Sequence, residues 1–130
     1  MAFRVLVVDD SPIMRLLIEK TIRISGLSID SCVTAADGNA ALNLLRNQEV
    51  DLILTDLNMP GMNGEDLMRE VRNHPALQRI PFIVISADAT SSRIQGMLAL
   101  GASGYIVKPF RAEVLKTQLS RALGEIHERN

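Results

Sequence analysis

The sequence predicts an α/β protein built on one open, doubly wound parallel sheet of five strands, flanked by five helices. Short apolar runs alternate with segments of helical period along the chain. The runs are mostly continuous rather than alternating in polarity, as expected of parallel strands that are buried on both faces. The chain has no linker, repeat or low-complexity segment. Its short connections between strands and helices favour an open sheet whose parallel strands are joined by right-handed crossovers.

The strands are predicted from runs of apolar and β-branched residues, and the helices must cover both faces of the sheet that they form. The predicted strands are RVLVV (4–8), SCVTA (31–35), LILT (52–55), FIVI (82–85) and YIV (105–107).

The helices are predicted from apolar residues spaced three and four apart, and the first also has its own start and stop signals. Ser11 can cap it, Pro12 suits its first turn, and Gly26 suits the left-handed position beyond its end. The apolar stripes of the five helices, in chain order, are Met14, Leu17, Ile18 and Ile22; Ala40, Ala41, Leu44 and Leu45; Leu67, Met68 and Val71; Ile94, Met97 and Leu98; and Leu115, Leu119, Ala122, Leu123 and Ile126.

Composition and charge exclude several functional classes. The chain has 130 residues, 47% of them hydrophobic, and a net charge of −1, so nothing favours binding to nucleic acid or to an anionic membrane. Its single cysteine, Cys32, cannot form an internal disulfide, and neither a signal peptide nor a membrane span is evident. We therefore expect a soluble cytoplasmic protein whose partners are proteins or small molecules.

Charged and polar residues stand where the predicted strands end. Asp9 and Asp10 follow the first strand, Asp56 the third, Ser86 the fourth and Lys108 the fifth. In open α/β sheets, sites gather beyond the carboxyl ends of the strands, so these residues should meet. Three carboxylates there would repel one another, and hard oxygen ligands suit Mg²⁺ better than Zn²⁺, for which no cysteine or histidine cluster exists.

These residues and motifs resemble the response-regulator receiver domain, and most closely its single-domain, CheY-like members. The motifs are VLVVDDS, DLILTDLNMPGMNG, VISA and GASGYIVKPF, in the family's order and spacing. The resemblance covers about residues 3–123 and implies a flavodoxin-like sheet with strand order 2-1-3-4-5. It also implies one receiver domain over residues 1–130 with no output domain, since the chain ends about where the fifth helix should.

The resemblance assigns a role to each residue at the strand ends. It makes Asp56 the phosphoryl acceptor, and it has Asp10, Asp56 and the backbone carbonyl of Asn58 hold Mg²⁺, with Asp9 acting through a water. Lys108 would pair with the phosphoryl oxygens.

The resemblance also implies a switch beside the acceptor. Ser86 would hydrogen-bond a phosphoryl oxygen, and Tyr105 would be an aromatic switch residue whose ring moves inward as Ser86 is drawn to the phosphate. The Lys108–Pro109 bond would be cis, as in the family.

The implied function is a stand-alone phosphorylation switch of two-component signalling. It would take its phosphoryl group from a histidine kinase and, as a monomer, bind a target protein through the fourth helix, the fifth strand and the fifth helix. It would not be an enzyme beyond assisting its own phosphorylation and dephosphorylation. A chemotaxis-type regulator is favoured, and the alternative is a phosphorelay intermediate that passes its phosphate to a second histidine protein.

Two other classes share parts of the pattern. An aspartate-nucleophile phosphatase of the haloacid dehalogenase type needs a D-x-D motif whose second acid transfers protons, and that position here is Asn58. A flavodoxin-like cofactor binder should present hydroxyls and glycines in its first loop, whereas DDSPI presents two carboxylates. Asp56 alone could be a capping residue before the turn at Pro60 and Gly61.

Overall fold

The five predicted strands form one parallel sheet. The computed structural model describes the backbone of residues 2–129 and the side chains of residues 2–124. The strands are β1 (Phe3–Val8), β2 (Ile29–Ala35), β3 (Leu52–Thr55), β4 (Phe82–Ser86) and β5 (Gly104–Val107). They pair in parallel in the order β2-β1-β3-β4-β5. The predicted fold class and strand order are confirmed.

The helices alternate with the strands as predicted. They are α1 (Pro12–Arg23), α2 (Gly38–Asn47), α3 (Gly64–Arg72), α4 (Ser91–Ala99) and α5 (Ala112–Arg129). Ser11 caps α1, since its hydroxyl accepts from the Met14 amide, and Gly26 has a positive φ beyond the helix end. Within residues 2–129, no helix has both the length and the apolar character needed to cross a membrane.

The sheet separates two apolar cores. Alternate residues of the strands face α1 and α5 on one side, as Val5 and Val7 do, and α2 to α4 on the other, as Leu6 and Val8 do. Because both faces of the sheet are buried, the strands are continuous runs of mostly apolar residues. The predicted site residues lie at the carboxyl ends of the strands, beyond these two layers.

Two of the predicted stripe residues are exposed. Leu17 is 49% exposed and Leu98 is 45% exposed, because each lies about 100° around its helix from a buried neighbour, Ile18 and Met97 respectively. The helices α1 and α4 therefore each bury a narrower apolar stripe against the sheet than the sequence indicated. The predicted packing of Ile126 falls outside the described side chains.

Candidate functional site

Backbone pairing continues past the strand ends and fixes the residues of the site. The Asp9 amide donates to the carbonyl of Ala35 at 3.1 Å, and the Asp56 amide donates to that of Val8 at 2.9 Å. These hydrogen bonds extend the parallel ladder by one residue beyond β1 and β3. Asp9 and Asp56 therefore lie at paired positions of neighbouring strands.

Three predicted carboxylates form a cluster at this edge. One oxygen each from Asp9, Asp10 and Asp56 lies within 4.8 Å of the others. Asp9 and Asp56 are only 1% and 7% exposed, whereas Asp10 is exposed. The structure thus places two acids at the bottom of the cluster and one at its mouth, open to solvent.

The carboxylate of Asp56 is held at both oxygens. Its Oδ1 accepts from the amides of Leu57 and Asn58 at 2.7 and 3.4 Å, and its Oδ2 accepts from Lys108 Nζ at 3.2 Å. These donors fix the direction in which the carboxylate of Asp56 points.

Lys108 bridges the two buried acids. Its Nζ donates to Asp9 Oδ2 at 2.8 Å as well as to Asp56, while Asp9 Oδ1 accepts from the Ser11 amide at 2.9 Å. Burial acts to lower the Lys108 pKa, but the hydrogen bond to Asp9 and the charge of Asp56 outweigh it and hold this pKa above its usual value. The ammonium therefore stays charged and compensates part of the repulsion among the carboxylates.

The segment between β3 and α3 packs tightly against the backbone of Asp56 at the end of β3. A Cβ built on Gly64 would clash with the carbonyl oxygen of Asp56. Only glycine allows α3 to begin so close to the backbone of Asp56. The sequence interpretation missed this role, although a glycine that opens a helix was a signal of close approach.

Ser86 and Tyr105 are joined through the loop between β4 and α4. The amide of Asp88 donates to Ser86 Oγ at 3.2 Å, and the Tyr105 hydroxyl donates to the carbonyl of Asp88 at 2.6 Å. Ser86 is fully buried, and the half-buried Tyr105 packs against the core on the α2 to α4 side. Hydrogen bonds from the Thr90 backbone and side chain lower the pKa of Asp88.

Two more features complete the surroundings of the site. The Lys108–Pro109 peptide bond is cis, as the resemblance implied. Glu65, at the start of α3, forms an ion pair with Arg93 of α4 at 2.6 Å. The sequence interpretation did not find this pair, because nothing in the local pattern relates two residues on different helices.

The acid cluster fits Mg²⁺. Its donors are carboxylate oxygens only, which Mg²⁺ favours, and Asp10 at the mouth leaves room for the waters that this ion retains. Asn58 is exposed in the loop next to the cluster. Lys108 compensates only one of three negative charges, so a divalent cation would neutralise the remainder.

Comparison with known proteins agrees with this geometry. The family model of the response regulator receiver domain matches residues 5–120. The chain is 36% identical to the chemotaxis protein CheY of Pseudomonas aeruginosa over 124 residues, which cover 95% of this chain and 98% of that protein. It is 38% identical over 122 residues to the chemotaxis protein CheY homolog of Campylobacter jejuni, covering 93% and 92% of the two chains.

Solved structures show the same likeness. The structure of the chemotaxis response regulator CheY4 of Vibrio cholerae superposes with a TM-score of 0.84 at 33% identity, covering 94% of this chain and 99% of that one. The receiver domain of a Luxo repressor protein from Vibrio parahaemolyticus has a TM-score of 0.89 at 23% identity, covering 99% and 95% of the two chains, which speaks for the fold alone. With its matching family model, relatives and site geometry, this chain belongs to the response regulator receiver domain family.

Proposed function

We propose that this protein is a stand-alone response regulator that accepts a phosphoryl group on Asp56 from a histidine kinase, with Mg²⁺ as cofactor. The observation that carries the proposal is the placement of Asp56. It lies 7% exposed at a strand end, hydrogen-bonded to Lys108 and within 4.8 Å of two further carboxylates. This combination supplies a nucleophile, a metal site and a fixed cation at one point.

The transfer uses the residues in distinct roles. An Asp56 carboxylate oxygen forms a bond to phosphorus as the P–N bond of the donor phosphohistidine breaks, and the imidazole nitrogen keeps the electron pair. Asp10, Asp56 and the Asn58 carbonyl would hold the metal, with Asp9 acting through a water. Bound Mg²⁺ supplies charge stabilisation to the phosphoryl oxygens. Lys108, 3.2 Å from Asp56 Oδ2, is placed to hold an anion formed there.

The acyl phosphate should persist long enough to signal. The residue two positions after the acceptor is Asn58, whose amide cannot transfer protons as the second acid of a phosphatase does. The protein therefore acts as a phosphorylation-dependent switch, and its own catalysis is limited to its own phosphorylation and dephosphorylation.

We also propose that the signal leaves through the face formed by α4, β5 and α5. Ser86 reaches Tyr105 through Asp88, so a Ser86 hydroxyl drawn to the phosphoryl group would release the loop that holds the tyrosine. Leu98 on α4 and Val114 on α5 are 45% and 43% exposed, so each of these helices has an apolar side chain available for contact with a target protein. The names of the relatives favour a chemotaxis-type target. We propose that the protein binds it as a monomer.

Phosphorylation of the acceptor tests the core of the proposal. Incubation with a small acyl phosphate and Mg²⁺ should add one hydroxylamine-sensitive phosphoryl group, and Asp56→Asn should abolish it while the protein stays folded. Asp30→Asn, an exposed acid on β2, is the matched control and should be labelled as the wild type is. Undiminished labelling of Asp56→Asn would move the acceptor elsewhere.

The switch has a separate test. Ser86→Ala should still be labelled, but the backbone amide shifts caused by beryllofluoride and Mg²⁺ should stop short of Tyr105 and Ile94 in the variant. Equal spread of the shifts in both proteins would contradict the coupling and leave the assignment of the acceptor intact.

A further inference from the structure

An ion pair joins the first turns of α3 and α4, the helices that follow β3 and β4. Glu65 Oε1 accepts from Nη1 of Arg93 at 2.6 Å, and Glu65 Oε2 accepts from Nε and Nη2 of Arg69 at 3.2 and 2.9 Å. A Glu65 carboxylate that followed a displaced Arg93 would have to leave Arg69. The ion pair between Glu65 and Arg93 therefore depends on the position of α4 relative to α3.

The two helices are anchored to the protein to different degrees. In α3 four residues are buried, and one of them, Gly64, lies against the backbone of Asp56. Among the described residues of α4 only Met97 is buried, and Arg93 is the only charged residue of this helix. The ion pair thus ties a lightly anchored helix to one that is packed against the acceptor.

The start of α4 is hydrogen-bonded to the loop after β4. Asp88 Oδ1 accepts from the amide and the hydroxyl of Thr90, the N-cap residue of α4, at 3.0 and 2.7 Å. The amide of Asp88 in turn donates to Ser86 Oγ at 3.2 Å. A Ser86 hydroxyl drawn to a phosphoryl group would therefore release Asp88. Movement of Asp88 is passed through Thr90 to the turn that carries Arg93.

We infer that the ion pair between Glu65 and Arg93 is a latch, which holds α4 in its unphosphorylated position and so sets the threshold of the switch. The inference rests on the proposed function, in which Asp56 is the acceptor and Ser86 moves towards its phosphoryl group. Because the two side chains are already in contact, displacement of α4 from α3 weakens the pair. Partly exposed ion pairs change an equilibrium constant by about two- to fivefold. Loss of the latch should raise the population of the active conformer by about this factor.

The latch and simple electrostatics predict different signs for two substitutions. Loss of a positive charge should by itself weaken the binding of an anion, and loss of a negative charge should strengthen it. Arg93→Gln and Glu65→Gln both open the latch, so a latch gives both variants the same sign. The double variant Glu65→Gln/Arg93→Gln opens the latch without a change in net charge and is the decisive protein.

Binding of beryllofluoride in the presence of Mg²⁺ measures the effect without phosphorylation. This mimic of the phosphoryl group binds the active conformer, so its apparent dissociation constant falls as that conformer becomes more populated. We expect the double variant to lower the dissociation constant about two- to fivefold. The matched control is Glu19→Gln/Arg23→Gln, which removes an ion pair within α1 at the same net charge and should bind as the wild type does.

Amide chemical shifts give a second readout, which a role in stability alone would not change in this way. Without beryllofluoride, the amides of Asp88, Thr90 and Ile94 in the double variant should be displaced towards their positions in the beryllofluoride-bound wild type. A thermal melt confirms folding. Should the double variant fail to fold, the two single variants carry the test, because both should bind beryllofluoride more tightly.

Each outcome bears on the inference in a defined way. A wild-type dissociation constant in the double variant overturns the latch and leaves the proposed function standing. Opposite changes in the two single variants that cancel in the double variant also overturn it, because charge alone would then account for them. Equal tightening in the control pair of α1 overturns it as well. A folded wild type that binds no beryllofluoride overturns both the latch and the proposed acceptor site.

Discussion

Replacement of Asp10 by asparagine should stabilise the metal-free protein and remove most of its response to Mg²⁺. One oxygen from each of the three clustered carboxylates lies within 4.8 Å of the others, and the only described carboxylates that the ammonium of Lys108 contacts are those of Asp9 and Asp56. Asp10 is therefore the least compensated acid of the site. Asp10→Asn keeps the shape of the side chain and removes its charge.

The size of the effect follows from Coulomb's law. Two unit charges 4.8 Å apart repel by about 0.9 kcal/mol in water and about 3.5 kcal/mol at an effective dielectric constant of 20. Asp10 is exposed, and Lys108 offsets about one of its two repulsive interactions, so a net gain of about 1 kcal/mol is expected. For a domain of this size, that free energy raises the thermal midpoint by about 3 to 5 °C.

In excess Mg²⁺ the wild type should become more stable to heat than Asp10→Asn. At a metal concentration tenfold above its dissociation constant, binding stabilises the wild type by about 1.4 kcal/mol, and the variant should gain little. Thermal melts followed by circular dichroism in chelator and in excess Mg²⁺ measure both differences, with Asp30→Asn as a control for loss of an acid elsewhere. A variant less stable than the wild type in chelator, or one with the wild-type response to Mg²⁺, would refute the reasoning.

Three further predictions concern residues outside the acid cluster. Gly64→Ala should lower the free energy of unfolding by at least about 2 kcal/mol, because the added Cβ would meet backbone atoms. Gly96→Ala, at an open position in α4, should raise it by about 0.5 to 1 kcal/mol. Denaturant unfolding measures both changes, and a similar change in the two variants would be contrary evidence. Burial raises the pKa of Cys32 to about 11, so at pH 8 its alkylation should be roughly a hundredfold slower than in the unfolded chain; equal rates would contradict this. Hydrogen bonds from Arg69 and Arg93 lower the pKa of Glu65, so the stability that this carboxylate contributes is present at neutral pH and lost as the pH falls below its ordinary value of about 4.3. Arg93→Gln should raise the Glu65 midpoint in an NMR titration and cost about 0.5 kcal/mol at pH 7; an unmoved midpoint would exclude the pair in solution.

The strand ends were predictable because the relevant information lies within single runs of sequence. LILT followed by Asp56 specifies both a buried strand and the residue that its end presents. The sheet then brings Asp56 beside Asp9, since β1 and β3 are neighbours with paired carboxyl ends. The start of β2 at Ile29 was missed because that residue pairs with Phe3 outside the apolar run from which the strand was predicted.

Contacts between elements were not predictable in the same way. The ion pair between Glu65 and Arg93 depends on how α3 and α4 are rotated about their own axes on the sheet, which a helical period does not specify. The exposure of Leu17 has the same origin. The hydrogen bond of Arg15 to Asp9 is close in sequence, but it joins a side chain to a backbone carbonyl that carries no residue-specific signal.

On the proposed function, charge makes the metal and the phosphoryl group depend on each other. The described site has three carboxylates and one ammonium in contact with two of them, a formal charge of −2. A phosphoryl group carrying nearly two further negative charges would be repelled by that cluster, and Mg²⁺ cancels the excess. Once Asp56 carries the phosphoryl group, the strongest anion near Lys108 is no longer a carboxylate. The ammonium, held by Asp9 at 2.8 Å and by Asp56 at 3.2 Å, can then turn to the phosphoryl oxygens while keeping its contact with Asp9. The same lysine thus stabilises the free acid cluster and the phosphorylated one, which explains why it stands at the end of β5 rather than on a flexible loop.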